Sequence, residues 1–360
     1  MLEVRMLGGV YASFYLLVGA ASVIVWHEGG QAMLGAASPA ALSLMVAVAI
    51  TEHYAFEANS YVFSLHRANT GSLMLFVRTG LWPSFAIAGL LFHWIASIEA
   101  VFVLWIGANL VVIGWAWKAI RAMELRQSGV QSAPARFDWR RTAGVWKEGV
   151  AFYIATVLLS GMQYAERFVA APLLSHDEFG RYVFLWAIAN AVQTVSYTVF
   201  VVTAGPSLVR AACSEPRRVT PILRRVIVKI LAVTVAISLA VFSVHDLIFR
   251  FAHKSLGTGG RTTLVILLAS FVLRSGSDLL WSAAIALKAG RQVAFGMFTL
   301  GVISVPLAWI AIPRFGQQGA AVSHLFASVM IAAWLAWVIS KANKGLHLAG
   351  LTDQAMHRAG

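Results

Sequence analysis

GVAFYIATVLLSGMQYAERFVAAPL, residues Gly149–Leu173, decides the fold class. As a helix it is long enough to cross the roughly 30 Å hydrocarbon core of a bilayer. It is apolar on every side but one. Tyr153, Thr156, Ser160, Gln163 and Arg167 recur every three or four residues and share a face, with Glu166 beside them. A helix that is apolar all round can sit in lipid. A striped one needs something polar to look at, either a water-filled cavity or another stripe.

Nine further apolar stretches flank it. Spans are expected near 7–26, 40–65, 72–92, 95–117, 149–173, 182–204, 227–249, 263–287, 293–312 and 319–340. The second crosses only if Glu52–Leu65 continues the short apolar run Pro39–Thr51. The first resembles a signal peptide but is too long for one and ends in Val-Trp-His-Glu, so it reads as a retained anchor. The expected fold is an all-α, polytopic helical membrane protein of about ten transmembrane helices in two bundles, four plus six. Composition agrees: 59% of residues are hydrophobic and 12% charged, whereas soluble domains carry about 25% charged residues. The single cysteine, Cys213, excludes a disulfide framework and cysteine metal sites.

Basic residues set orientation. With the N-terminus in the cytoplasm, inner loops and tails hold twenty of the 28 Lys and Arg, and outer loops hold five. Arg78, Arg167 and Arg274 fall inside spans. Both termini are therefore expected in the cytoplasm. The basic residues lie in loops rather than in an arm or RNA-reading motif, which excludes nucleic acid as a partner. The basic stretch 121–148 reads as a linker between an N-terminal bundle (1–120) and a C-terminal six-helix bundle (149–345), followed by a cytoplasmic tail (346–360). The outer loops are all short.

The two sides of the linker repeat one plan. An inner turn at His66–Gly71 precedes a span carrying Pro83, and an inner turn at Lys288–Gln292 precedes a span carrying Pro306. Matching them leaves the fifth and sixth spans without counterparts, as though the first half lacked its first two helices.

Three more stripes join that of Gly149–Leu173. His53, Glu57, Ser60 and Ser64 line one face of the second span, with Glu52 nearby. Trp186, Asn190, Gln193 and Tyr197 line the sixth. Ser270, Arg274, Ser277 and Trp281 line the eighth, where Asp278 sits one turn from Arg274 as an alternative intrahelical ion pair. Hydroxyls can satisfy one another between packed helices, but ionisable groups within spans cost roughly 2.5–3.5 kcal/mol each. Seven of them (Glu52, Glu57, Arg78, Glu166, Arg167, Arg274, Asp278) imply a shared central cavity. Three arginines suit an anion such as phosphate or pyrophosphate. Glu52, Glu57 and Glu166 are candidates for a coupling H+ or Na+. His53 and His324 read as packing or hydrogen-bonding residues. No P-loop, zincin, nucleophile-elbow or potassium-filter motif occurs, and neither a cofactor, a metal nor a catalytic residue is expected.

From Gly149 onward the residues resemble a family. Gly149-Val-Ala-Phe152, Ala165-Glu-Arg-Phe-Val-Ala170 and Glu178-Phe-Gly-Arg-Tyr182 look like the start of the second lobe of polysaccharide (O-antigen or capsule) flippases of the multidrug/oligosaccharidyl-lipid/polysaccharide exporter superfamily. Glu166 stands where an aspartate is more usual. Ala204-Gly-Pro-Ser-Leu208 fits the proline-ended sixth span, and Ile312–Ala321 fits the turn before the last helix. The resemblance is closest over roughly the last 200 residues. It implies two six-helix lobes, alternating access, and export of an oligosaccharide on a polyprenyl pyrophosphate carrier across the bacterial cytoplasmic membrane, driven by an ion gradient. On it, Arg78, Arg167 and Arg274, with Asp278 beside them, would meet the pyrophosphate, and Gln163, Asn190 and Gln193 the sugars. The alternatives are a small-molecule or drug exporter of the same superfamily, a membrane glycosyltransferase, polymerase or ligase, and an inactive remnant.

Overall fold

The structure, a computed structural model, describes residues 15–17, 19–20, 38–65, 67–127, 139–252 and 256–359. All regular structure among them is helical. The expected span at 7–26 lies outside the described residues except for 15–17 and 19–20, and so does the middle of the linker, 128–138. The chain divides into two units, Met1–Asp138 and Trp139–Gly360.

In the first unit, α1 (Pro39–Ser64) starts where Ser38 Oγ accepts a hydrogen bond from Ala41 N at 3.0 Å and Pro39 presets the first helical φ. It runs unbroken through Glu52 to Ser64, so the polar half of the second expected span is helical. Helix α2 is continuous over Ala68–Phe76, Val77–Leu81 and Trp82–Leu91, and its middle segment is π-helical. Pro83 has no N–H for the carbonyl of Thr79, and the wide turn lies directly before it. Helix α3 (Ile98–Gln127) packs along α1. Ala55, Val62, Met74, Val112 and Ala116 form the small core of this unit.

The second unit contains α4 (Trp139–Leu173), α5 (His176–Ser196, π-helical Tyr197–Val201, then Val202–Ser214), α6 (Val219–Ser243), short α7 (His245–Phe251) and α8 (Gly260–Ala286). A long helical stretch follows, broken only at Gly316, whose φ of 56° and ψ of −137° suit glycine alone; it divides into α9 (290–315) and α10 (317–359). The expected loop Pro313–Gln318 is thus condensed to one residue. Basic segments read as linker are also helical, up to Gln127 and from Trp139. The seventh expected span stops at Ser243 rather than near 249, because His245 Nδ1 lies 2.6 Å from the carbonyl of Phe242 and the chain restarts as α7.

Among the described residues, seven stretches are long and apolar enough to cross a membrane: those of α1, α2, α3, α5, α6 and α8, and 290–343. Helix α4 is not among them, since Gln163, Glu166 and Arg167 interrupt its apolar run. Helix α8 is the axis of the second unit. Its apolar stretch is 67% buried, against 11–39% for the other six.

Candidate functional site

Two apolar clusters make the core of the second unit, and a polar layer separates them along every long helix. One cluster takes Met162 from α4, Leu208 from α5, Ile230 from α6, Leu279 from α8, Met297 from α9 and Ile331 from α10. The other takes Val169, Leu185, Leu267, Ala308 and Ala321 from five of these helices, and α6 joins through Ile237 and Val241. Between them lie Glu166 on α4, Gln193 and Ser196 on α5, Thr234 on α6, Arg274, Ser275 and Asp278 on α8, Ser304 on α9, and Ser323, His324 and Ser328 on α10. Nearly all of these side chains are buried. Burying polar atoms at the centre of an apolar unit is costly unless they bond to one another.

Most do. Asp278 Oδ2 accepts a 2.6 Å hydrogen bond from Gln193 Nε2, joining α8 to α5. Glu166, 4% exposed, accepts from the Tyr182 hydroxyl at 3.2 Å, joining α4 to α5. Thr234 Oγ1 lies 2.7 Å from Ser196 Oγ and 3.2 Å from Ser275 Oγ, tying α6 to α5 and α8. Ser270 Oγ lies 2.6 Å from His324 Nδ1 and 2.8 Å from Ser328 Oγ, tying α8 to α10.

The arginines are held differently. The Arg167 guanidinium lies 3.6 Å from the Trp186 ring centroid and 4.3 Å from that of Tyr164, a cation–π clasp between α4 and α5. Arg274 is 3% exposed and feels the fields of both Asp278 and Glu166. Among the described residues no carboxylate oxygen comes within 4.0 Å of its guanidinium. The intrahelical Arg274–Asp278 ion pair is therefore not formed, because Asp278 turns to Gln193 instead. Arg167, Arg274, Glu166 and Asp278 thus share this layer with no ion pair within 4.0 Å among the described residues. Several polar atoms stay buried without a hydrogen bond, among them Arg167 Nε, Trp186 Nε1, Gln193 Oε1 and Ser304 Oγ. Gln163 and Asn190 are partly exposed and make no side-chain hydrogen bond among the described residues. Glu166, Ser304 and Ser323 border a void of about 10 Å³ between α4, α9 and α10, room for one water and too small for an anion.

The remaining candidates cluster in the first unit. Arg78, 7% exposed, sits on the π-helical segment with Nε 3.7 Å from Glu52 Oε1 and its guanidinium over the Phe56 ring. Trp105 Nε1 donates to Glu52 Oε2 at 2.9 Å and its ring stacks on Trp82. Glu52, His53, Phe56, Phe102 and Trp105 line an open groove of about 500 Å³. Glu57 is more exposed and lies 3.9 Å from His53 Nε2.

Sequence reasoning missed several members of both clusters. Tyr182 was visible only as the last residue of Glu-Phe-Gly-Arg-Tyr. Thr234 had a signal that was not used: it is one of the few hydroxyls in the aliphatic run Ile227–Val241. Among the described residues no group of three or more His, Cys, Asp or Glu is placed to hold a metal ion. Compared with family models, curated proteins and solved structures, the chain matches none.

Proposed function

We propose that the chain is a flippase that moves a polyprenyl-pyrophosphate-linked oligosaccharide across the bacterial cytoplasmic membrane by alternating access, for cell-surface polysaccharide synthesis. In this reading it has ten spans with both termini in the cytoplasm: α1–α6, α8, α9, α10 and the stretch 7–26. The observation that carries the proposal is the charged layer halfway along α8. Packing alone needs only Ser and Thr there, whereas four ionisable side chains on α4 and α8 add roughly 2.5–3.5 kcal/mol each to the cost of insertion. A cost of that size is retained where the charges act on something that passes.

The side-chain chemistry indicates what passes. Arg167, held flat by Trp186 and Tyr164, presents a pre-oriented planar fork suited to phosphate oxygens. Arg274 adds a second cation once Asp278 and Glu166 are engaged elsewhere. The unbonded amides of Gln163 and Asn190, and the free oxygen of Gln193, match hydroxyl-rich sugars. Glu166, beside the small void with Ser304 and Ser323, is placed to take up a coupling H+ or Na+, and Glu52 is the corresponding candidate in the first unit. Arg78 is the cationic candidate there.

The test is genetic. After deletion of the gene, polyprenyl-linked oligosaccharide is quantified by mass spectrometry and the strain is rescued with wild-type chain, Arg167→Gln or Arg274→Gln. The expected result is accumulation relieved by wild type and by neither variant, at equal membrane levels. Normal lipid-linked pools in the deletion strain would remove the proposal.

A further inference from the structure

The choice of coupling ion, which rests on the transport reading above, turns on the walls of the void beside Glu166. Nine residues line that void, and only Glu166, Ser304 and Ser323 bring a side-chain oxygen to it. The other six are Met, Ala, Gly or Val. Ser323 Oγ already donates to the carbonyl of Gly319 at 2.8 Å. Ser304 is 8% exposed, and its Oγ is buried without a hydrogen-bond partner among the described residues. Oε1 of Glu166 accepts from Tyr182, while the other carboxylate oxygen has no side-chain partner among the described residues. The void therefore lies between a free carboxylate oxygen on α4 and an unpartnered hydroxyl on α9.

A hard cation that sheds its water needs a shell of oxygens on several sides. The void offers one free carboxylate oxygen, two hydroxyls and room for a single water, which falls short. A proton asks for less. A protonated carboxyl keeps acceptor capacity, so Tyr182 can go on donating to Oε1 while the proton sits on the other oxygen. A water in the void has Glu166, Ser304 and Ser323 as polar partners, within the roughly two to four that a buried water needs. The cations whose fields reach Glu166 are Arg167 on its own helix and Arg274 on α8. Tyr164 lies under Arg167, Asp278 on α8 turns to Gln193, and His324 on α10 turns to Ser270. Helix α9 brings no ionisable side chain to the void. We propose that Glu166 is a proton site, that one water links its free oxygen to Ser304, and that the coupling ion is the proton rather than sodium. The proton adds to the free carboxylate oxygen to give the neutral acid, and the same oxygen releases it later in the cycle. Ser304 is a positioning residue that holds the water.

The experiment has two readouts on the full chain in proteoliposomes. Infrared difference spectra between alkaline and acidic buffer should show a protonated-carboxyl band that is lost in Glu166→Gln. Ser304→Ala should shift that band without abolishing it, because the water loses a partner while the carboxyl remains. Flipping of a polyprenyl-pyrophosphate-linked oligosaccharide in the same vesicles should respond to a pH gradient and be unchanged when K+ replaces Na+ at constant ionic strength. A spectrum with no band dependent on Glu166, or flipping that requires Na+, would overturn the proton assignment and leave the transport reading standing. No flipping under any gradient would overturn the transport reading and the coupling role with it, even with the Glu166 band present.

Discussion

The hydrogen bond from Gln193 to Asp278 gives the sharpest test of the polar layer. The bond is 2.6 Å long and joins α5 to α8, and its acceptor is a carboxylate. Hydrogen bonds to charged groups contribute about 1.5–3 kcal/mol, whereas neutral bonds between membrane helices average about 0.6 kcal/mol. A double-mutant cycle separates the two cases. Gln193→Ala and Asp278→Ala are made singly and together, and stability is measured by reversible unfolding in mixed micelles of rising SDS content. Removing Asp278 also leaves Arg274 short of a compensating charge. That cost appears in both Asp278→Ala backgrounds and cancels in the coupling energy. The expected coupling is about 1.5 kcal/mol or more. A value at or below about 0.6 kcal/mol would refute a charge-assisted link, and with it the view that the layer is a fixed network.

Other outcomes follow from single contacts. A Cβ at Gly319 would run into the backbone carbonyl of Ala311 across the kink, while one at Gly301 meets open space; Gly319→Ala should therefore destabilise by about 1–3 kcal/mol and Gly301→Ala should be neutral or stabilising by the same unfolding assay. Arg167→Lys keeps the charge but loses the flat contact with Trp186, so stability should fall by about 1 kcal/mol and genetic rescue of export should fail. Trp105→Phe keeps a ring against Trp82 but removes the donor to the Glu52 carboxylate, a loss of about 1.5–3 kcal/mol. Cys213 is the sole cysteine and is exposed between Arg210 and Arg217, so a membrane-impermeant maleimide should label it only after permeabilisation. Labelling in intact cells would reverse the proposed orientation.

The helical, membrane-type character of the chain was legible because the apolar runs are long and their polar residues keep a helical period. The continuation of α1 through Glu52 and Glu57 was readable from the same period, although hydropathy there drops. The stripe of the sixth span also placed Gln193 on a polar face, and the structure joins it to Asp278. Their pairing was not legible, because spacing along one helix favours Arg274 as the partner of Asp278 and says nothing of a neighbour 85 residues away. Tyr182, Trp105 and Thr234 were missed for a similar reason: each matters through a contact between helices, and no local pattern marks it. Loop lengths were overestimated because basic residues lower hydropathy without breaking a helix, as at Lys118–Gln127 and Trp139–Lys147. The π-helical turns at Val77–Leu81 and Tyr197–Val201 left no trace in composition beyond a proline several residues downstream.

Transport itself is best measured in proteoliposomes. Purified chain is reconstituted with a polyprenyl-pyrophosphate-linked oligosaccharide placed on one leaflet, and its arrival on the other is read by an impermeant glycosidase. The account predicts flipping by wild-type chain, accelerated by an imposed H+ or Na+ gradient and abolished in the Arg167→Gln, Arg274→Gln double variant. Flipping no faster than in empty liposomes, or undiminished in the double variant, would contradict it.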